Sequence, residues 1–217
     1  MSNCETFSLP ELSLEAHQVR EVLRCALHTI VFCRSLGPTT PREVDSELFD
    51  VTYATCGDQE VERFLEHKVA EFCSWLERHP GQAGQLCLAF FEKRKRQSGW
   101  LGRSDERMFW EQWGICVKVT NARASRLELE SASFSGSTAG ESFRRERQNR
   151  LTEQVEDVVA FIVRNVNQKK DHIPAVSSPG AVSFPFDVWI PSDGKLSMGF
   201  GLMKKVLMQT CPPPMLS

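Results

Sequence analysis

The sequence lacks several features that define common functional classes. It has no apolar run near the roughly 20 residues that a membrane-spanning helix requires. Its first residues have neither the basic patch nor the apolar stretch of a secretory signal. Lysine and arginine total 26 and aspartate and glutamate total 28, for a net charge of −2, which argues against nucleic-acid binding through bulk charge. We therefore expect a cytoplasmic protein with no transmembrane segment and no nucleic-acid partner.

Catalytic and metal-binding motifs are also scarce. The eight cysteines include no CxxC pair, whereas zinc sites take ligands in closely spaced pairs. No GxSxG, Walker, GxGxxG, HExxH or EF-hand pattern occurs. The sequence therefore favours a protein that is not an enzyme, needs no metal or cofactor, and keeps its cysteines reduced and buried. A cysteine-dependent enzyme that uses Cys25 or Cys33 with His28 is the distant alternative.

The composition is that of a folded domain, with 41% hydrophobic and 25% charged residues in a chain of 217. Apolar residues at three- and four-residue steps predict helices over 14–36, 58–78 and 141–168. Ser13 and Asp58 are the expected N-caps of the first two. The third helix has a charged first half and an apolar stripe in its second half.

Alternating and β-prone runs predict the strands. They lie at 48–55, 85–93, 110–121, 126–134, 184–190 and 196–202. We expect an α+β fold in which three main helices pack on an antiparallel sheet with a C-terminal β-hairpin. The predicted organisation is an N-terminal extension (1–13), a single domain (14–209) with an insertion at about 121–142, and a disordered tail (210–217). Within the insertion, residues 135–140 have the composition of a flexible loop.

The most unusual feature is a loop that follows a basic run. Residues 93–96 read KRKR, which is typical of a solvated strand end; contact with a phosphate or an anionic lipid is the alternative. Trp100 and Leu101 then stand between Gly99 and Gly102. Because tryptophan is enriched at interface hot spots, we interpret this pair as a protruding anchor for a partner. The alternative is that Trp100 folds back on the sheet.

Four stretches carry a family resemblance. They are QVREVLRCALHTIVFCRSLG (18–37), FDVTYAT (49–55), the segment from LAFFEKRKRQSGW to WEQWGICVKV (88–119), and RQNRLTEQVEDVVAFIVRNVN continuing to HIP (147–174). On these residues the chain resembles the HORMA domains. Among them it is similar to the autophagy-related protein 101 family, which supplies a subunit of the autophagy-initiating kinase complex.

The resemblance implies a non-catalytic adaptor in autophagy initiation. Such a subunit pairs with the HORMA domain of autophagy-related protein 13, stabilises it, and recruits downstream factors to the phagophore assembly site. Trp100 matches the tryptophan of the family's recruiting loop, whereas Leu101 stands where the family has a second aromatic residue. A HORMA adaptor of another pathway, of checkpoint or meiotic type, is the main alternative.

The family's mode of pairing points to a partner interface on the third helix and the neighbouring strands. The residues expected there are Phe49, Val51, Tyr53, Arg144, Arg145 and Arg147. By the same resemblance, the C-terminal hairpin corresponds to the segment that closes around a peptide in checkpoint relatives.

Overall fold

The computed structural model describes residues 4–37, 39–97, 103–120, 137–175 and 184–191. Three helices and seven strands are present in these ranges. The helices are α1 (Ala16–Cys33), α2 (Gln59–Arg78) and α3 (Ser137–Gln168). The strands are β1 (Glu5–Ser8), β2 (Leu12–Leu14), β3 (Arg42–Asp45), β4 (Thr52–Thr55), β5 (Ala83–Gln97), β6 (Arg103–Val119) and β7 (Phe186–Trp189).

The main sheet is built on the long antiparallel pair of β5 and β6. β7 pairs antiparallel with β5, while β1 and β2 pair parallel with β6. β3 and β4 form a separate hairpin. The predicted α+β class with three helices is confirmed, and the sheet is mixed because β1 and β2 run parallel to β6. The strands predicted at 126–134 and 196–202 lie outside the described residues, as does the tail.

The start of α1 differs from the prediction. Leu12 and Leu14 are fully buried beside Val117 and Val119 of β6, so the chain stays extended through Leu14. The helix begins at Ala16, where Glu15 forms a capping box with Gln18. The assignment of Ser13 as N-cap was wrong, since Ser13 lies in β2. Residues 5–8, assigned by sequence to the N-terminal extension, form β1 at the edge of the sheet.

The observed bounds of α2 and α3 agree more closely with the predictions. The Asp58 side chain accepts hydrogen bonds from the backbone N–H groups of Glu60 and Val61, which confirms it as the N-cap of α2. α3 begins at Ser137, so part of the loop expected over 135–140 is helical. Its apolar stripe packs in the core through residues that include Val155, Val158 and Ile162.

A buried polar cluster joins α1, β6 and the end of α3. The guanidinium of Arg34, which is 2% exposed, donates to both carboxylate oxygens of the fully buried Glu111, at 2.6 Å from Nη2 to Oε2. Glu111 also accepts a hydrogen bond of 2.6 Å from the indole Nε1 of Trp113, and its Oε2 lies 2.6 Å from Nε2 of His172. Arg34 further donates to the backbone carbonyl of Val166, near the end of α3. The buried Glu111 carboxylate therefore has three side-chain partners, Arg34, Trp113 and His172, which offset the cost of burying its charge.

The position of α3 gives a direct stability test. Val158 is 1% exposed and Val163, five residues along the same helix, is 40% exposed. Val158→Asp buries a charge without a partner, so we expect it to lower the free energy of unfolding by at least about 3 kcal/mol. Val163→Asp is the matched control and should change it by about 0.5 kcal/mol or less. Equal effects in urea denaturation would show that the helix packs with another face inward.

Candidate interaction surfaces

The first candidate surface is a groove between the β3–β4 connection and α3. The connection is ordered by its own hydrogen bonds, from Ser46 N to Val51 O (3.1 Å) and from Leu48 N to Ser46 Oγ (3.2 Å). The side-chain amide of Gln148 on α3 donates to the carbonyl of Leu48 and holds the two elements together. Between them lies an open groove of about 520 Å³.

Acidic and amide groups dominate the rim of this groove. It is lined by Ser46, Glu47, Leu48, Phe49, Asp50, Gln148, Asn149, Thr152 and Glu153. Phe49 itself is only 3% exposed, so its ring belongs to the core and the polar residues face outward. The groove therefore presents a polar surface to a partner, as the rim of a protein–protein interface does.

The predicted interface residues fall into two groups. Phe49 and Tyr53 are buried and Val51 is half-buried against the core, so these three contribute little area that a partner could reach. Arg145 is exposed, while Arg147 is half-buried in an ion pair with Glu15. The side chain of Arg144 lies outside the described residues.

The second candidate surface is the end of the β5–β6 hairpin. Trp100 and Leu101 lie outside the described residues, but the strands that carry them are described as far as Gln97 and Arg103, which pair with each other. The prediction that Trp100 and Leu101 form a protruding anchor is therefore not tested by the described residues.

The cysteine-enzyme alternative finds no support in the geometry. His28 is buried and stacks on Tyr53, with ring centroids 6.0 Å apart, and burial lowers its pKa. Burial raises the pKa of the Cys25 thiol to about 12 and also raises that of Cys33. Both thiols are thus held in the protonated, unreactive form, and among the described residues neither is hydrogen-bonded to His28.

Metal sites, disulfides and membrane-spanning helices are the other features that bear on function. The described residues contain no group of three or more histidine, cysteine, aspartate or glutamate side chains placed to hold a metal ion. Six described cysteines are free thiols, as expected, whereas Cys116 is disulfide-bonded, contrary to the expectation of reduced cysteines. No described helix has the length and apolar character needed to cross a membrane.

Comparison with known proteins gives consistent matches. The family model described as Autophagy-related protein 101 matches residues 11–179. Autophagy-related protein 101 of Arabidopsis thaliana is 38% identical over 207 residues, which span 94% of this chain and 95% of that protein. Autophagy-related protein 101 of Schizosaccharomyces pombe is 29% identical over 126 residues, covering 56% of this chain and 66% of its own length.

The thiol environments predict how the folded protein reacts with iodoacetamide. We expect Cys25 and Cys87 to be alkylated at least about 100-fold more slowly at pH 8 than in the denatured chain, because both are buried with raised pKa values. Mass spectrometry of each labelled peptide measures the rates. His28→Gln is the control and should leave the Cys25 rate unchanged. Alkylation of Cys25 that is faster in the folded than in the denatured chain would indicate an activated thiol and support the cysteine-dependent enzyme.

Proposed function

The chain belongs to the autophagy-related protein 101 family and has a role in autophagy, and we propose that it is a non-catalytic adaptor of the autophagy-initiating kinase complex. In this role it works in the cytoplasm and is recruited to the phagophore assembly site. It pairs with the HORMA domain of autophagy-related protein 13, stabilises that domain, and recruits downstream factors. The observation that carries the proposal is the similarity over 94% of the chain to a relative of nearly the same length.

The pairing surface is proposed on α3 and the β3–β4 connection. Arg145 is exposed on α3, one turn before Gln148 and Asn149, which line the groove. The groove also has three acidic lining residues, Glu47, Asp50 and Glu153. A surface with charges of both signs selects a partner whose charges are complementary. Because Phe49 and Tyr53 are buried, they support this surface from beneath and contribute through its shape.

The recruiting surface is proposed at Trp100 and Leu101. A tryptophan at the tip of a hairpin can enter a partner's pocket while the rest of the domain stays at a distance. Leucine offers less contact area than phenylalanine or tryptophan at the second position, so Trp100 carries most of the contact. The two surfaces serve separate partners and can be tested separately.

Size-exclusion chromatography with light scattering tests the pairing. The purified chain is run alone and mixed with the HORMA domain of autophagy-related protein 13 from the same source, and a one-to-one complex is expected. Arg145→Glu should weaken the complex about tenfold or more, since it reverses a charge at the proposed surface. Arg164→Glu, at an exposed position elsewhere on α3, is the matched control and should leave the complex intact.

The double variant Trp100→Ala/Leu101→Ala separates recruitment from pairing. It should keep its melting temperature and form the complex, yet fail to recruit downstream factors in cells. A large fall in melting temperature would show that Trp100 packs in the core. Absence of a complex with the wild-type chain at micromolar concentration would contradict the pairing and favour a HORMA adaptor of another pathway.

A further inference from the structure

The β5–β6 pair extends well past the rest of the sheet. β7 pairs with β5 only over Cys87–Phe90, and β1 pairs with β6 only over Glu111–Gly114. Toward the hairpin tip, the part of the chain that the structure describes places no third strand beside residues 92–97 or 103–109. At about 3.3 Å per residue, this two-stranded ribbon is about 20 Å long. Among the described residues, this ribbon therefore extends beyond the other strands of the sheet.

The register of the ribbon separates its charges onto two faces. Lys93 pairs opposite Arg107, Lys95 opposite Asp105, and Gln97 opposite Arg103. Directly opposed residues of an antiparallel pair share a face, and successive residues alternate between faces. One face thus collects four of the ribbon's basic residues. They are Lys93, Lys95, Arg103 and Arg107, and we call this set the basic face.

The two faces differ in net charge. Asp105 is the acidic residue of the ribbon on the basic face, and Asp187 of β7 adds a second carboxylate, 3.0 Å from Arg107. The basic face therefore keeps a net positive charge after both carboxylates are counted. On the opposite face, Arg94 and Arg96 are matched by two acidic residues, Glu92 and Glu106. This concentration of positive charge occurs in a chain whose overall charge is −2.

The base of the ribbon is aromatic on the same side as the cations. The guanidinium of Arg107 lies over the ring of Phe91, 4.8 Å from its centroid, and the Phe91 ring packs against Phe109 at 5.4 Å. Lys93 is exposed, and Arg107 keeps 53% of its side chain exposed despite its ion pair with Asp187. Two of the four basic residues, Lys93 and Arg107, therefore have exposed side chains at the base of the ribbon.

These features fit one kind of partner better than others. A single bound phosphate needs several donors that converge on one point, whereas these cations are spread along the strands and Arg107 already has a carboxylate partner. Nucleic acid needs more phosphate contacts than four cations supply for appreciable affinity. An anionic lipid bilayer presents many charges in one plane and attracts each nearby lysine or arginine additively.

We propose that the basic face of the β5–β6 ribbon docks on anionic lipid membranes. The attachment is electrostatic and weak for one chain, so it adds to other membrane contacts of a complex. It orients the domain with this face of the ribbon along the bilayer and the opposite face away from it. This inference does not depend on the partner proposed above, because it concerns the chain alone.

Vesicle flotation with the full chain tests the proposal. Vesicles of phosphatidylcholine alone are compared with vesicles that contain about 30% phosphatidylserine, at low salt and at physiological salt. The wild-type chain should float with the anionic vesicles only, and less so at the higher salt. Lys93→Glu/Lys95→Glu should weaken this partitioning about tenfold or more, since each basic residue near the surface contributes roughly fivefold.

The matched control is Arg94→Glu/Arg96→Glu, which makes the same charge change on the same strand but on the opposite face. It should reduce partitioning about threefold or less, because in the register of the strands its positions lie on the face opposite the docked one, where their charges are partly screened from the membrane. Equal losses in the two variants would overturn the assignment of the face. Equal binding of the wild-type chain to both kinds of vesicle, or no binding to either, would overturn the membrane proposal. Thermal melts of both variants confirm that they are folded.

Discussion

The buried ion pair between Arg34 and Glu111 is the constraint on which the arrangement of the domain depends. The side chain of Arg34 is 2% exposed and that of Glu111 is 0% exposed. Removing both charges from water has a large desolvation cost, which is offset only when both groups are fully hydrogen-bonded. Here the carboxylate is bonded by Arg34, Trp113 and His172, while Arg34 also donates to backbone carbonyls at the end of α3. The pair therefore fixes where α1 ends, where α3 ends, and how both meet β6.

The candidate pairing surface follows from that constraint. The C-terminal end of α3 is held at Arg34, and its first half is held by the ion pair of Arg147 with Glu15 and by the hydrogen bond from Gln148 to Leu48. These contacts place the exposed side of α3 beside the β3–β4 connection and create the groove between them. The hairpin ribbon is formed by β5 and β6, and β6 also holds Glu111. The ribbon and the groove are therefore connected through the same buried ion pair.

Much of this architecture could be predicted because its signals are local. Trp113, Ile115 and Val117 alternate in the sequence and are buried in β6, and Asp58 caps α2 as its position before an apolar stripe predicts. The parallel pairing of β1 and β2 with β6 joins segments about 100 residues apart. Strands of three or four residues are too short to show a periodic pattern in the sequence.

The partners in the buried ion pair could not be predicted either, because Arg34 and Glu111 are 77 positions apart. Glu111 inside an otherwise apolar strand was the one sequence feature that indicated a buried charge, but the sequence does not show which residue pairs with it.

The burial of Phe49 and Tyr53 was not predicted, because a short exposed hairpin and a hairpin packed on a helix have the same alternating pattern.

A double-mutant cycle on the ion pair is the most direct test of this account. Arg34→Met and Glu111→Leu should each lower the free energy of unfolding by about 3–5 kcal/mol, because each leaves a buried charge without its partner. The double variant replaces both charges with apolar groups, so its loss should fall short of the sum of the single losses by at least about 2 kcal/mol. Urea denaturation of the four proteins measures these quantities. Strictly additive losses would show that the two residues act independently and that the buried pair does not organise the fold.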